Sequence, residues 1–407
     1  MDFSFVVIMN VAGHHNLQLV GYTVSTKPKC RATYKKEAGT MNNNMKYVGF
    51  DVSKNKISVA IAESGRESAR FYGNIINNEA SIKKLLMKLG ERSQLKVCYE
   101  AGPSGYSIYR QLQRLGISCS VIAPSLIPVK KGDHVKTDRK DALKLAQLYR
   151  AGELTEIWVP REEDEMLRDL VRAREDSMQN LIRAKHRLLK FLSRYGITAP
   201  GETKNWSSRY WKWLRAVSFE DPAREMVLEE YIATIEEIES RLRRLEAEIH
   251  RIAEDSVHSQ LIKALQSLKG VGEIAAATIA SEVGFFMRFD KPTQLMSYGG
   301  VVPSEYSSGD RVSRGSITKS GNSHLRRIIV ECSWSYRYKP HIGRDLQKRQ
   351  EGQPLSIQQK SWQAQMRLHG KYKRMLSKGK NKNKVITSIS RELLGFIWSI
   401  ACEVEME

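Results

Sequence analysis

At 407 residues the chain is longer than one usual domain, and a hydrophobic content of 41% is enough for two or three packed cores. Its 66 Lys and Arg against 45 Asp and Glu leave a net charge of +21, which points to a polyanionic partner, most simply nucleic acid. Five scattered cysteines (Cys30, Cys98, Cys119, Cys332, Cys402) offer no metal-ligand spacing, which argues against zinc and fits a reducing cytoplasm. No apolar run reaches the roughly 18–20 residues of a membrane helix, and Met1–Val7 is too short and lacks the basic leader of a signal peptide, so no membrane partner is expected.

In chain order, residues 1–45 show no periodicity and end in Asn42-Asn43-Asn44. They read as a poorly ordered extension, from an upstream start codon. Residues 46–155 then read as a mixed α/β domain. Tyr47–Val52, Ile57–Ala62 and Phe71–Ile76 are expected strands, followed by a helix over Ala80–Leu89 and a strand over Leu95–Tyr99. A helix over Gly105–Leu115, a strand over Ile117–Ile122 and a helix over Arg139–Ala151 complete the pattern. Residues 156–258 carry two long amphipathic stripes, Leu167 to Tyr195 and Leu228 to Ile252, which suggest a helical hairpin or an intermolecular coiled coil. Arg174 and Lys185 interrupt the first stripe; Asp221-Pro222 opens the second as cap and first helical residue. Trp206, Trp211 and Trp213 between them fit packing over the hairpin tip better than stacking on bases. Residues 259–407 are expected to be mainly helical and strongly basic, with a final apolar helix over Leu393–Ile400.

Chemistry is concentrated in three places. Asp51 ends the first strand, Glu100 ends a central one, and Asp138 and Asp141 share one face of a helix start. An unpaired charge among strand residues is costly, so carboxylates converging on one sheet edge call for a cation. Oxygen ligands select magnesium, with manganese possible, and such ions serve phosphodiester chemistry. Gly270-Val271-Gly272 between apolar segments fits the turn of a helix-hairpin-helix whose backbone amides meet a phosphate. Ser307-Ser308-Gly309 precedes Arg311, Arg314, Lys319, Arg326 and Arg327; by composition alone a phosphate-binding loop fits better than a serine nucleophile.

The segments YVGFDVSK, CYEAGPSGY, KTDRKDALKLAQL, LKGVGEIAAATIASEVG and YGGVVPSEYSSGDRVSRGSITKSGNSHLRRIIVECSW stand in one order. As a set they make the chain resemble the DEDD insertion-sequence transposases, a family that includes Piv-like invertases and bridge-RNA-guided serine recombinases. The resemblance implies an RNase H-like (RuvC-like) domain holding magnesium through Asp51, Glu100, Asp138 and Asp141. It implies a helical coiled-coil linker and a C-terminal transposase domain whose serine, Ser308 or Ser307, attacks DNA covalently. It further implies a structured guide RNA, donor and target DNA, a dimer or tetramer with a site composed from different subunits, and a prokaryotic cytoplasmic, nucleoid-associated setting. The same four acids with water as nucleophile would instead make a metal-dependent Holliday-junction or RNA nuclease. The family pattern does not cover the first 45 residues.

Overall fold

The computed structural model describes residues 45–128, 137–309 and 311–406. The expected extension over residues 1–45 therefore falls, Met45 apart, outside the described residues, as do Lys136 and Asp310 of the motifs above. The chain divides into two compact units, one running up to Ser120 and resuming over Pro128–Leu154, the other taking Val121–Ile127 and everything from Thr155.

The first unit is built on a five-stranded sheet. Its strands are β1 (Lys46–Val52), β2 (Lys56–Glu63), β3 (Arg70–Ile76), β4 (Leu95–Glu100) and β5 (Ser118–Ile122), in the order β3-β2-β1-β4-β5. Helices α1 (Glu79–Leu89), α2 (Ser107–Arg114) and α3 (Asp138–Ala151) complete it. β1 runs antiparallel to β2, with Asp51 opposite Ser58, and parallel to β4, with Phe50 opposite Tyr99. Side chains alternate along a strand. Val48 and Phe50 are therefore buried on one face, while Tyr47, Gly49 and Asp51 share the other.

α3 lies across that second face. Thr137 caps it by accepting from the Lys140 amide at 3.3 Å, and Gly152 closes it at φ 72°. Small residues set the approach, with Ala142 and Ala146 packed on Ala60 and Ala62. Gly49 marks the closest crossing, where a Cβ would stand 2.6 Å from the Ala142 carbonyl oxygen and 2.6 Å from the Ala146 amide. The Tyr149 ring meets the Tyr47 ring edge-on at 5.8 Å. The helix thus runs antiparallel to β1, and its first turn lies at the Asp51 end. This mixed sheet is consistent with the expected RNase H-like arrangement, and the expected strands and helices all form, with ends shifted by a residue or two.

The second unit is mostly helical. α4 (Glu162–Arg194) and α6 (Pro222–Asp255) pack antiparallel, with α5 (Ser208–Leu214) between them in sequence. Arg174 and Lys185, which break the apolar stripe of α4, pair across the hairpin with Glu246 and Glu239, each at 2.8 Å. Trp206, Trp211 and Trp213 pack on the cluster of Leu188, Phe191 and Leu228 at the hairpin's far end. The Lys185 ammonium sits 4.9 Å over Trp206, adding a cation–π contact to that packing. At the near end Leu167, Val171, Ile249 and Ala253 join a single core with the C-terminal helices.

Those helices are α7 (Ser259–Leu265), α8 (Glu273–Val283), α9 (Pro292–Tyr298), α10 (Ser323–Ser333), α11 (Arg344–Gln350), α12 (Leu355–Ser377) and α13 (Lys382–Met406). Two points correct the sequence reading. α13 is long and apolar enough, by length and composition, to cross a membrane, where no such stretch was expected. Its Leu393, Ile397 and Ile400 are completely buried in the core, which accounts for its apolar character. Between residues 303 and 317, where no strand was expected, β6 (Pro303–Glu305) and β7 (Arg314–Ile317) form a two-stranded hairpin. Strands this short, made of exposed polar residues, leave no alternating pattern to read.

Candidate active site

Asp51 directly follows the last β1–β4 pair, Phe50 with Tyr99, and Glu100 directly follows on β4. The two acids are therefore neighbours across adjacent strands and lie on the face covered by α3, where Cys98 Sγ also reaches the Leu145 carbonyl at 3.8 Å. Asp138 and Asp141 occupy the first turn of α3. Four carboxylates thus gather at one end of the sheet, and the helix N-terminus partly offsets the charge of its two. Among the described residues, however, no group of three or more Asp, Glu, His or Cys side chains stands ready to hold a metal ion. The acids share an end of the sheet without closing into a ligand cluster.

A cation already stands there. The Lys56 ammonium, at the start of β2, pairs with Asp138 at 2.7 Å, both side chains about half exposed. The hydrogen bond to Asp138 and its charge, joined by the charge of Asp51, hold the Lys56 pKa above the ordinary lysine value. Lys56 was not singled out in the sequence, where its only signal is its place just after the β1–β2 turn, on the face of Asp51. Carboxylate oxygens are the donor type that hard divalent cations take, and here Lys56 holds that of Asp138.

The serine pair occupies the tip of the β6–β7 hairpin. Ser308 and Arg311 exchange backbone hydrogen bonds at 3.1 and 3.2 Å, and Gly309 turns the chain at φ 56°. Ser307 Oγ donates to Glu305 at 2.9 Å, and Arg314 Nε donates to the same carboxylate at 3.2 Å. Those two hydrogen bonds and the Arg314 charge hold the Glu305 carboxyl below the usual range. The Ser308 side chain is exposed and, among the described residues, makes no hydrogen bond.

The expected phosphate-binding residues divide. Arg311 and Lys319 are exposed. Arg326 instead donates to the Gly299 carbonyl at 3.0 Å, and Arg327 is held between Glu175 and Glu331. Gly270, at φ 82°, leaves no room for a Cβ, which would stand 2.5 Å from Ser335 Oγ and 2.6 Å from the Cys332 carbonyl. That close approach is to the chain itself. Gly272 is exposed at the start of α8 with open space around it.

The roots of the hairpin rest on a buried charge that the sequence reading also passed over. Glu282 in α8 is fully buried and takes both nitrogens of the Arg172 fork, at 2.7 and 2.9 Å. Asn322 Nδ2 adds a bond at 2.7 Å. Burial alone would raise the Glu282 pKa; Arg172, Asn322 and Arg168 outweigh it and keep the carboxyl below its ordinary range. A charged residue inside the apolar run Ile274–Val283 was the available signal.

Two family models match this chain. A DEDD-type transposase model of the IS110 group covers residues 48–197, and the model described as the transposase IS116/IS110/IS902 family covers residues 262–346. A Sinorhizobium fredii protein, y4qE, classed by prediction as a transposase, is 42% identical over 362 residues, 88% of either chain. The chain belongs to the IS116/IS110/IS902 transposase family. The transposase of the Leptospira borgpetersenii insertion sequence element IS1533 is 32% identical, over 82% of this chain and 97% of its own length. That of IS1328 from Yersinia enterocolitica is 22% identical over 72% of this chain and 84% of its own. This protein is therefore a DNA transposase of an insertion sequence. One family model takes in all four acids of the sheet end, and the other takes in the serine hairpin.

Proposed function

We propose that the transposase cuts and rejoins DNA through a serine–phosphate link, with Ser308 as nucleophile and Asp51, Glu100, Asp138 and Asp141 as a magnesium (or manganese) site. The observation that carries this reading is the state of the two hydroxyls. Ser307 is committed to Glu305, whereas Ser308 is exposed at a glycine turn with Arg311 beside it. A nucleophile needs that exposure, and the scissile phosphate needs a nearby cation.

The Ser308 oxygen attacks phosphorus and the bond to the 3′ oxygen breaks. The serine proton passes to a carboxylate and the leaving oxygen takes up a proton, leaving a 5′-phosphoserine link. The bond energy is kept, so rejoining needs no nucleotide cofactor. A bound divalent ion would supply charge neutralisation at the phosphate. Lys56 holds Asp138 in place and offsets the repulsion among the acids. A guide RNA and a dimer or tetramer belong to the same reading. The net charge of +21 supports the first, and Ile182, Met226 and Val227, exposed on the long hairpin, support the second. RNA pairing would read sequence while the protein recognises backbone and shape.

The test is a trapping assay with end-labelled donor and target DNA, magnesium and RNA transcribed from the flanks of the gene, denatured in detergent. A labelled protein adduct that vanishes in the Ser307→Ala/Ser308→Ala double variant supports the reading. Cleaved strands without any adduct point to a water-using nuclease and overturn it.

A further inference from the structure

A groove of about 580 Å³ lies beside the serine hairpin, between β7 and the first three turns of α13. On the strand side it is lined by Arg314 and Ser316. On the helix side it is lined by Lys384, Thr387, Ser388 and Arg391. These four recur at steps of three and four and so share one helix face. The opposite face, Val385, Ile386 and Ile389, is buried in the core and fixes the helix in place.

The lining has the chemistry of a phosphate-backbone site. It carries three cations and three hydroxyls, and no acid lines it. Arg314 is shared with the exposed Glu305, but among the described residues Lys384 and Arg391 have no acidic partner. The buried opposite face anchors the backbone of both residues, so two cations without an acidic partner border one concavity at fixed points of the fold. The Thr387 hydroxyl donates to the Asn383 carbonyl at 2.9 Å, so the guanidinium forks, the ammonium and the Ser316 and Ser388 hydroxyls are the donors that suit the non-bridging oxygens of a phosphodiester.

Position selects which phosphodiester. Arg314 pairs with Glu305 in the hairpin register, and Ser308 lies three residues further toward the tip. At about 3.3 Å per residue the groove begins roughly 10 Å from the serine. On a DNA strand that is about three phosphates along the axis. We propose that this groove holds the DNA strand flanking the scissile phosphate, with Lys384 and Arg391 as positioning residues that seat it at the hairpin tip. The assignment of the strand as DNA rests on the serine reading above; the existence of a phosphodiester site in the groove does not.

The test measures binding by the full chain of a fluorescein-labelled duplex DNA of random sequence, and of a labelled RNA hairpin of equal charge, across a salt series. Each phosphate contact contributes about 0.9 to the slope of log affinity against log salt for duplex DNA. The Lys384→Ala/Arg391→Ala variant is expected to flatten the DNA slope by about 1.8 and the RNA slope by much less. Thr387→Lys, which adds a charge to the same helix face, is expected to steepen the DNA slope by about 0.9. This second variant keeps the proposal testable if the first folds poorly. Unchanged DNA slopes in both variants overturn the groove. A loss as large or larger on RNA overturns its assignment to DNA. Because binding is read without any chemistry, failure of the adduct assay and failure of the groove are separate results.

Discussion

The two candidate centres are built in opposite ways. The acid end of the sheet is made of core elements. Asp51 and Glu100 prolong the buried strands β1 and β4, and α3 is pressed so closely on β1 that only glycine fits at residue 49. The serine hairpin has almost no core of its own. β6 and β7 are three and four residues long and lie mostly in solvent. What fixes the hairpin is at its roots, where Thr318 and Lys319 bond back to Val302 and Gly300 and Asn322 reaches the buried Glu282. The acids that gather like charges sit on rigid elements, while the serine proposed as nucleophile is carried on an exposed tip above a fixed base.

Substitutions can break or sharpen that contrast. The largest effect is expected at the acid end. If Asp51 belongs to the proposed metal site, Asp51→Asn should lower strand cleavage on the order of a thousandfold while leaving DNA binding intact, because it replaces an anionic carboxylate by a neutral amide and touches no proposed phosphate contact. Gel-resolved cleavage and a binding titration on the same preparation check this. Next comes the base of the hairpin. Glu282→Gln strands Arg168 and Arg172 beside a neutral amide and should cost about 3–5 kcal/mol in urea unfolding of the second unit. Gly49→Ala should cost about 1–3 kcal/mol in the first unit, since the added carbon meets backbone atoms of α3 that cannot rotate away. Gly309→Ala should cost only about 1 kcal/mol, because nothing surrounds it and the penalty is its positive φ alone. If Gly309→Ala proved as damaging as Gly49→Ala, the hairpin tip would be packed, and the contrast would fail.

Acid titration offers a gentler test. Burial pushes the Asp164, Glu175 and Glu282 carboxyls upward, but their His and Arg partners outweigh it and hold all three below the ordinary range. A carboxyl depressed by folding stabilises above its unfolded pKa, and that stability is lost as pH falls through the folded value. These three carboxyls should therefore make the urea midpoint of the second unit fall as pH drops below about 4. In Glu282→Gln the fall should be shallower; an equal fall would show that Glu282 carries none of it.

The same contrast explains what the sequence made legible. The sheet and α3 were readable because Val48, Phe50, Val97 and Tyr99 are buried to a strand's period and Ala142, Leu145 and Ala146 to a helix's. The acids were readable because they interrupt or end those patterns. Lys56 was not, since an exposed lysine after a turn looks like any other surface charge. The β6–β7 hairpin was not, since its order comes from contacts at its roots rather than from a periodic apolar face. The intramolecular partners of Arg326 and Arg327 were not legible for the same reason. A basic run does not say which of its members face Gly299 and Glu175 inside the fold.

The most direct measurement is to locate the covalent link itself. The trapped adduct would be digested with nuclease and trypsin, and the peptide spanning residues 289–311, in which the Lys291–Pro292 bond resists the protease, fragmented to place the residual nucleotide. The account predicts the phosphodeoxynucleotide on Ser308, with Ser307 unmodified. A link on Ser307, or on any residue outside the hairpin, would contradict it.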